Sequence, residues 1–171
     1  MKTERLEIRR IKAEDWKAIQ EIWKDESSSP YAQFDNIKEI DDQSVENRIA
    51  RWATEVDRDE HIFFAVCLNN TVIGYISANV IKNESYEIGY CFHSDYHGKG
   101  YAKESLSAAF NYLKERGAKH LMAGTALENA PSIRLLKALG FIQTGTEKVS
   151  FYKDSEGNDI VFEGGIFELE L

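Results

Sequence analysis

Polar and apolar positions alternate with a period of two along Arg5-Leu6-Glu7-Ile8-Arg9, which predicts a strand near the N-terminus. The period then changes. Trp16, Ile19, Ile22 and Trp23 recur at helical spacing, and Glu14-Asp15 suit the first turn, where carboxylates meet the positive end of the helix dipole. Ser27-Ser28-Ser29-Pro30 breaks that pattern, and an irregular segment runs on to Asp41. Val45, Ile49, Trp52 and Val56 form a second helical stripe, read as core packing. Ile62 to Leu68 is a buried strand, turned at Asn69-Asn70 into another over Val72 to Ala78. Lys82-Asn83 makes a polar turn into a strand over Glu84 to Phe92. A glycine-rich stretch follows, then a helix with Leu106, Ala109, Phe110 and Leu113 on one face, ended by Gly117. His120 to Thr125 is a short strand, and a short helix carrying Ile133, Leu136 and Leu139 ends at Gly140-Phe141. Two long strands close the chain, Ile142 to Tyr152 and Asp159 to Glu170, joined through Ser155-Glu156-Gly157-Asn158.

Strands 84–92 and 120–125 flank a helix and should therefore run parallel, whereas the hairpin-connected strands should be antiparallel. The expected class is α/β (mixed α+β), one domain over residues 1–171, with a mixed sheet and helices on both faces. Apolar residues make up 43% of the chain, enough for a core without disulfides or metal. No run approaches the roughly 18 apolar residues that span a bilayer, and Met1-Lys2-Thr3-Glu4-Arg5 lacks an apolar signal core, so no membrane role and a cytoplasmic location are expected. A net charge of −8 argues against a nucleic-acid partner and is compatible with a cationic small molecule or basic peptide. Cys67 and Cys91 read as buried free thiols, and His61, His93, His97 and His120 show no metal-ligand spacing.

The chemistry-bearing stretch is His97-Gly98-Lys99-Gly100-Tyr101-Ala102, between a strand and a helix. Its small residues let consecutive N–H groups turn toward one anion, and the helix start adds unpaired N–H groups of its own. That reads as a seat for a phosphate or pyrophosphate, with a plain glycine-rich turn as the alternative. A Walker A loop is excluded, because His93 stands where its first glycine belongs and Gly100 follows Lys99. A dinucleotide fingerprint fails at Lys103.

Three stretches in order carry a resemblance to a known family: Thr3-Glu4-Arg5-Leu6-Glu7-Ile8-Arg9; Glu87-Ile88-Gly89-Tyr90 followed by His97 to Ala102; and Asn129-Ala130-Pro131-Ser132 with Leu135 and Gly140-Phe141. The chain resembles the Gcn5-related N-acetyltransferase (GNAT) superfamily, and within it the RimJ/RimL-like ribosomal-protein N-acetyltransferases. The resemblance implies a mostly antiparallel mixed sheet whose central parallel strands splay apart around the pantetheine arm of acetyl-CoA. It implies that Phe92 offers backbone N–H and C=O with Cys91 and His93 beside it, and that the pyrophosphate rests on amides of His97, Gly98, Lys99, Gly100, Tyr101 and Ala102. The chain departs from the superfamily where His97 replaces the usual Gln or Arg, and where Leu136 replaces the tyrosine acid of many members. Ser132, three residues after Asn129, implies a hydroxyl donating to the leaving thiolate. Helix capping is the alternative for Asn129 and Ser132.

Under this resemblance an amine of pKa roughly 10 must lose a proton before it attacks, and Glu87 is the candidate base, with an edge or salt-bridged glutamate as the alternative. The N–H near Phe92 is a candidate for polarising the thioester carbonyl. Cys91 is not read as a nucleophile, since no histidine is placed to activate it. Tyr31, Phe34 and Trp52 either line an apolar substrate slot or pack the core, and Asp35, Glu39, Asp41 and Asp42 either suit a cationic acceptor or are simply solvated. The expected acceptors are an amine-bearing small molecule, such as a polyamine, or a protein N-terminus; a homodimer is a candidate assembly, and whether the exposed hairpin edge would mediate it is left open by the sequence. The rival function is a non-catalytic acetyl-CoA sensor.

Overall fold

Seven strands form one sheet in the order β1-β2-β3-β4-β5-β7-β6, with β1 (Glu7–Arg10), β2 (His61–Leu68), β3 (Thr71–Lys82), β4 (Ser85–Phe92), β5 (His120–Ala126), β6 (Ile142–Lys153) and β7 (Asp159–Glu170). The computed structural model describes residues 1–36, 38–54 and 60–171. Only β4 and β5 pair in parallel; every other neighbouring pair is antiparallel. The helices are α1 (Trp16–Ser27), α2 (Asp42–Thr54), α3 (Tyr101–Glu115) and α4 (Ala130–Ala138). Val56 of the second stripe lies outside the described residues.

Each face of the sheet has its own core. On one side Leu106, Ala109, Phe110 and Leu113 of α3 and Leu136 of α4 pack against Ile62, Phe64, Ile76 and Ile88. On the other, Ile19, Ile22 and Trp23 of α1 and Val45 and Ile49 of α2 pack against Ala65, Cys67 and Tyr75. Each large aliphatic so buried stabilises the fold by roughly 1.5–3 kcal/mol. Trp52 belongs to this second core. Its ring stacks on Phe63 at 4.1 Å and meets Trp23 edge-on at 5.7 Å, so its place is packing and not the substrate slot.

The turns follow backbone chemistry. Asn69 and Asn70 take positive φ, 49° and 67°, as the β2–β3 hairpin requires. The next turn falls at Asn83-Glu84, with Glu84 at φ 62°, one residue beyond the expected Lys82-Asn83. β1 is shorter than the alternation predicts and starts at Glu7, because Arg5 is drawn away toward α3, as described below. Among the described residues no helix is long and apolar enough to cross a membrane.

Candidate active site

The site begins where the central strands part company. β4 and β5 are in register from Ser85/His120 to Glu87/Met122 and no farther, although β4 runs on to Phe92 and β5 to Ala126. Beyond the fork β5 stays paired with β7 through Ala126/Gly164, while β4 stays with β3. The parity of β4 decides what its free edge offers. His93 N–H donates to the Ile73 carbonyl at 3.0 Å, so the odd-numbered residues bond β3. Ile88, Tyr90 and Phe92 therefore direct their main-chain groups into the fork, as Glu84 does where its carbonyl accepts from Lys119 at 2.8 Å. The gap opens into a cleft of about 670 Å³ that brings Glu87, Cys91, Asn129 and Ser132 together with Tyr31 and Phe34. Phe92, His93 and the loop from His97 to Ala102 lie outside its lining, farther along β4.

At that far end, Ser94–Tyr96 makes a short 3-10 turn before the glycines. Gly98 and Gly100 take φ 72° and 82°, a left-handed backbone that a side chain disfavours, and Gly100 caps α3. Left-handed residues in such a turn gather N–H groups into an anion-binding hollow. A Cβ at Gly98 would meet nothing within 4 Å, so the hollow is open. Two tethers hold it. Asp25 of α1 accepts from Ser94 N–H and Oγ, both at 2.7 Å, and these bonds outweigh burial to keep its pKa below the usual carboxylate range. Arg5 donates to the Lys99 carbonyl at 2.9 Å and to Glu104 at 2.8 Å. Because the peptide is trans, turning the Lys99 carbonyl toward Arg5 aims the Gly100 N–H the opposite way.

Two site residues behave differently from the expectation. His97 Nε2 lies 2.8 Å from the Phe92 carbonyl, and since a carbonyl only accepts, the ring carries its proton on Nε2. The carbonyl of Phe92 is thus engaged by His97, leaving its N–H as the group offered to a ligand. Lys99 folds back, with Nζ donating to the Asp95 carbonyl at 2.8 Å and lying 5.7 Å from the Tyr96 ring centre.

Across the fork, Asn129 caps α4, its side chain accepting from Ser132 N–H at 3.2 Å. Ser132 itself turns its hydroxyl elsewhere, to the Tyr90 hydroxyl at 2.8 Å. The sequence assigns Tyr90 no role beyond its place in the Glu87-Ile88-Gly89-Tyr90 stretch. Its one available signal is that a phenol on a core-facing position needs a polar partner.

Toward the acceptor end, Glu87 is exposed and forms no ion pair with another described residue. Lys38, also in the cleft lining, bridges Glu26 at 2.8 Å and Asp35 at 2.7 Å. Burial opposes the Lys38 charge, but the hydrogen bonds it donates to Asp35 and Glu26 outweigh burial and hold its pKa above the usual range. Burial pushes the Cys91 thiol well up, and Glu26 acts in the same sense, so Cys91 is held as an un-ionised thiol. Three of the four acidic residues singled out in the sequence have structural partners: Asp35 pairs with Lys38, Asp41 accepts from Ser44 N–H at 3.0 Å, and Asp42 accepts from Gln20 at 2.7 Å, whereas Glu39 is exposed. Among the described residues no cluster of His, Cys, Asp and Glu is placed to hold a metal.

A mixed sheet forked over a cleft, with a glycine turn at the end of the open strand, is the architecture of an acetyltransferase domain. The chain belongs to the GNAT acetyltransferases: the family described as acetyltransferase (GNAT) domain matches residues 5–142. The uncharacterised N-acetyltransferase YnaD of Bacillus subtilis (strain 168) is 30% identical over 159 residues, 90% of this chain and 89% of its own. A GNAT-family acetyltransferase from Bacillus anthracis is similar in structure, with a TM-score of 0.80, 26% identity and coverage of 99% and 97% of the two chains. The ribosomal-protein-S5-alanine acetyltransferase of Vibrio fischeri superimposes with a TM-score of 0.84 over 99% of this chain and 95% of that one, at 19% identity a likeness of fold. The protein is therefore an acyltransferase enzyme, which sets aside the sensor reading.

Proposed function

We propose that this acetyltransferase moves an acetyl group from acetyl-CoA directly to a primary amine, either a protein N-terminus or a small amine such as a polyamine. The fork between β4 and β5 carries the reading, because beyond Glu87/Met122 it leaves Tyr90 and Phe92, whose main-chain groups face the gap, unpaired by β5 beside an open cleft. An open strand edge suits the amide-rich pantetheine arm, and the hollow at Gly98 and Gly100 suits a pyrophosphate. When bound, acetyl-CoA supplies an activated thioester. The chain's own residues do the rest. The Phe92 N–H and its neighbours on the edge orient the arm and polarise the carbonyl. Glu87, exposed within the cleft, takes the proton of the attacking amine directly or through water. Ser132 faces the departing sulfur from the opposite wall.

The lining also favours a cationic acceptor. Glu26, Asp35, Glu87 and Glu147 stand against Lys38, four carboxylates to one ammonium. The name of the Vibrio fischeri relative, a ribosomal-protein-alanine acetyltransferase, is in keeping with a protein N-terminus. Thiol release from acetyl-CoA, followed with N-terminal peptides, polyamines, amino sugars and amino acids, tests the proposal. Turnover with at least one amine and calorimetric binding of coenzyme A are expected. Binding without release for every amine would overturn the proposed transfer, and no binding at millimolar coenzyme A would overturn the site.

A further inference from the structure

The Tyr90 and Ser132 hydroxyls meet 2.8 Å apart from opposite walls of the fork, one on β4 and the other on α4, and both line the cleft. A serine hydroxyl has one proton to donate, whereas its oxygen can accept twice. If Ser132 gave that proton to the phenol, it would have none for a ligand. Burial pushes the Tyr90 phenol up, with Ser132 opposing, so the phenol keeps its proton through neutral pH and has one to donate to Ser132 Oγ, 2.8 Å away. Among the described residues no other group takes the Ser132 proton.

Resting on the proposal that Ser132 faces the leaving sulfur, we infer that Tyr90 donates to Ser132 Oγ and so directs the serine's own proton into the cleft, onto the sulfur of coenzyme A. Tyr90 is a positioning residue, acting through Ser132. No proton changes owner within the pair. As the N–C bond forms and the C–S bond breaks, the electron pair of the broken bond goes to sulfur and the amine's proton goes to the base. The thiolate, held by Ser132 O–H, takes a proton from water on release. Donation from Tyr90 polarises the Ser132 hydroxyl and strengthens its bond to an anionic sulfur. The tyrosine that many superfamily members carry on the last helix is Leu136 here, and the phenol that meets Ser132 comes from the strand, as Tyr90.

Ionisation of bound coenzyme A tests this without an acceptor. The thiolate is followed by ultraviolet absorbance as a pH titration of the full chain with coenzyme A, against the same titration with a sulfur-free analogue. The wild type is expected to hold roughly tenfold more thiolate at a given pH than free coenzyme A, equivalent to one pKa unit. Tyr90→Phe and Ser132→Ala should each abolish most of that enrichment, and the double variant should lose little more. Replacing Tyr90 by fluorotyrosine, a stronger donor of nearly the same shape, should increase it. Enrichment lost in Ser132→Ala but intact in Tyr90→Phe and unmoved by fluorotyrosine would overturn the role of Tyr90 and leave Ser132 standing. No enrichment in wild type with coenzyme A bound would overturn both roles, and no binding would overturn the proposed function itself.

Discussion

The base proposed for this cleft is a single carboxylate at the fork. Glu87 is the last β4 residue in register with β5, and its exposure within the cleft leaves it free to meet an incoming amine. Glu87→Gln should lower kcat at neutral pH by about 100-fold, with the deficit shrinking as rising pH deprotonates the acceptor, whose pKa is roughly 10. A pH–rate profile coinciding with wild type would remove the base role. Lys38 holds together two carboxylates of the lining, Glu26 and Asp35. Lys38→Met strands Glu26 and Asp35 beside each other, and should destabilise the protein by about 1–3 kcal/mol, below the range for a fully buried pair because Lys38 keeps 18% of its side-chain surface exposed. Chemical denaturation measures that loss. Glu87 was legible in the sequence as an acidic residue in an apolar strand. The Lys38 cluster was not, since its carboxylates come from α1 and from the segment after it and meet only when the chain folds.

Elements rather than side chains create the free β4 edge proposed to hold the cofactor. With β4 beyond the fork paired to β3 on one side only, amides of Gly89 and Cys91 should resist hydrogen exchange, while those of Tyr90 and Phe92 exchange faster. Coenzyme A should slow the fast set selectively, and uniform protection across both sets would contradict the assigned parity. At the start of α3, Gly100→Val places a β-branched residue at φ 82°, a conformation costing about 1–2 kcal/mol, and crowds the amides of the hollow. Calorimetry should find coenzyme A affinity reduced by tenfold or more. The alternation over Glu84 to Phe92, the glycines and the α3 stripe made this strand–turn–helix unit readable in advance. What periodicity leaves out is how far two strands stay paired, because β5 pairs with β7 through Ala126 and only that competition parts it from β4.

The whole molecule ties its N-terminus and α1 to the anion hollow through acidic groups. Glu104 accepts from Thr3, at 2.5 Å, and from the Arg5 main chain and side chain, and Asp25 accepts from Ser94; burial works against each charge, yet both pKa values fall below the usual carboxylate range. A carboxyl whose folded pKa is depressed adds stability above its unfolded value, near 4, and loses it as pH falls through the folded value. Thermal midpoints should therefore drop on acidification below about pH 4. The Asp25→Asn and Glu104→Gln variants should start lower at neutral pH and show a flatter acid limb; parallel limbs would show that neither tether is linked to folding. Local order along the chain alone determined the strands, the four helices, the mixed parallel and antiparallel pairing and the glycine turn, because periodicity and turn chemistry act between residues close in sequence. Tertiary structure alone decided which groups face each other. It sent Trp52 into the core, gave the Phe92 carbonyl to His97, joined Lys38 to two carboxylates and set Tyr90 against Ser132, forty-two residues away. Such pairings depend on how sheet and helices stack, a property that no window of neighbouring residues contains.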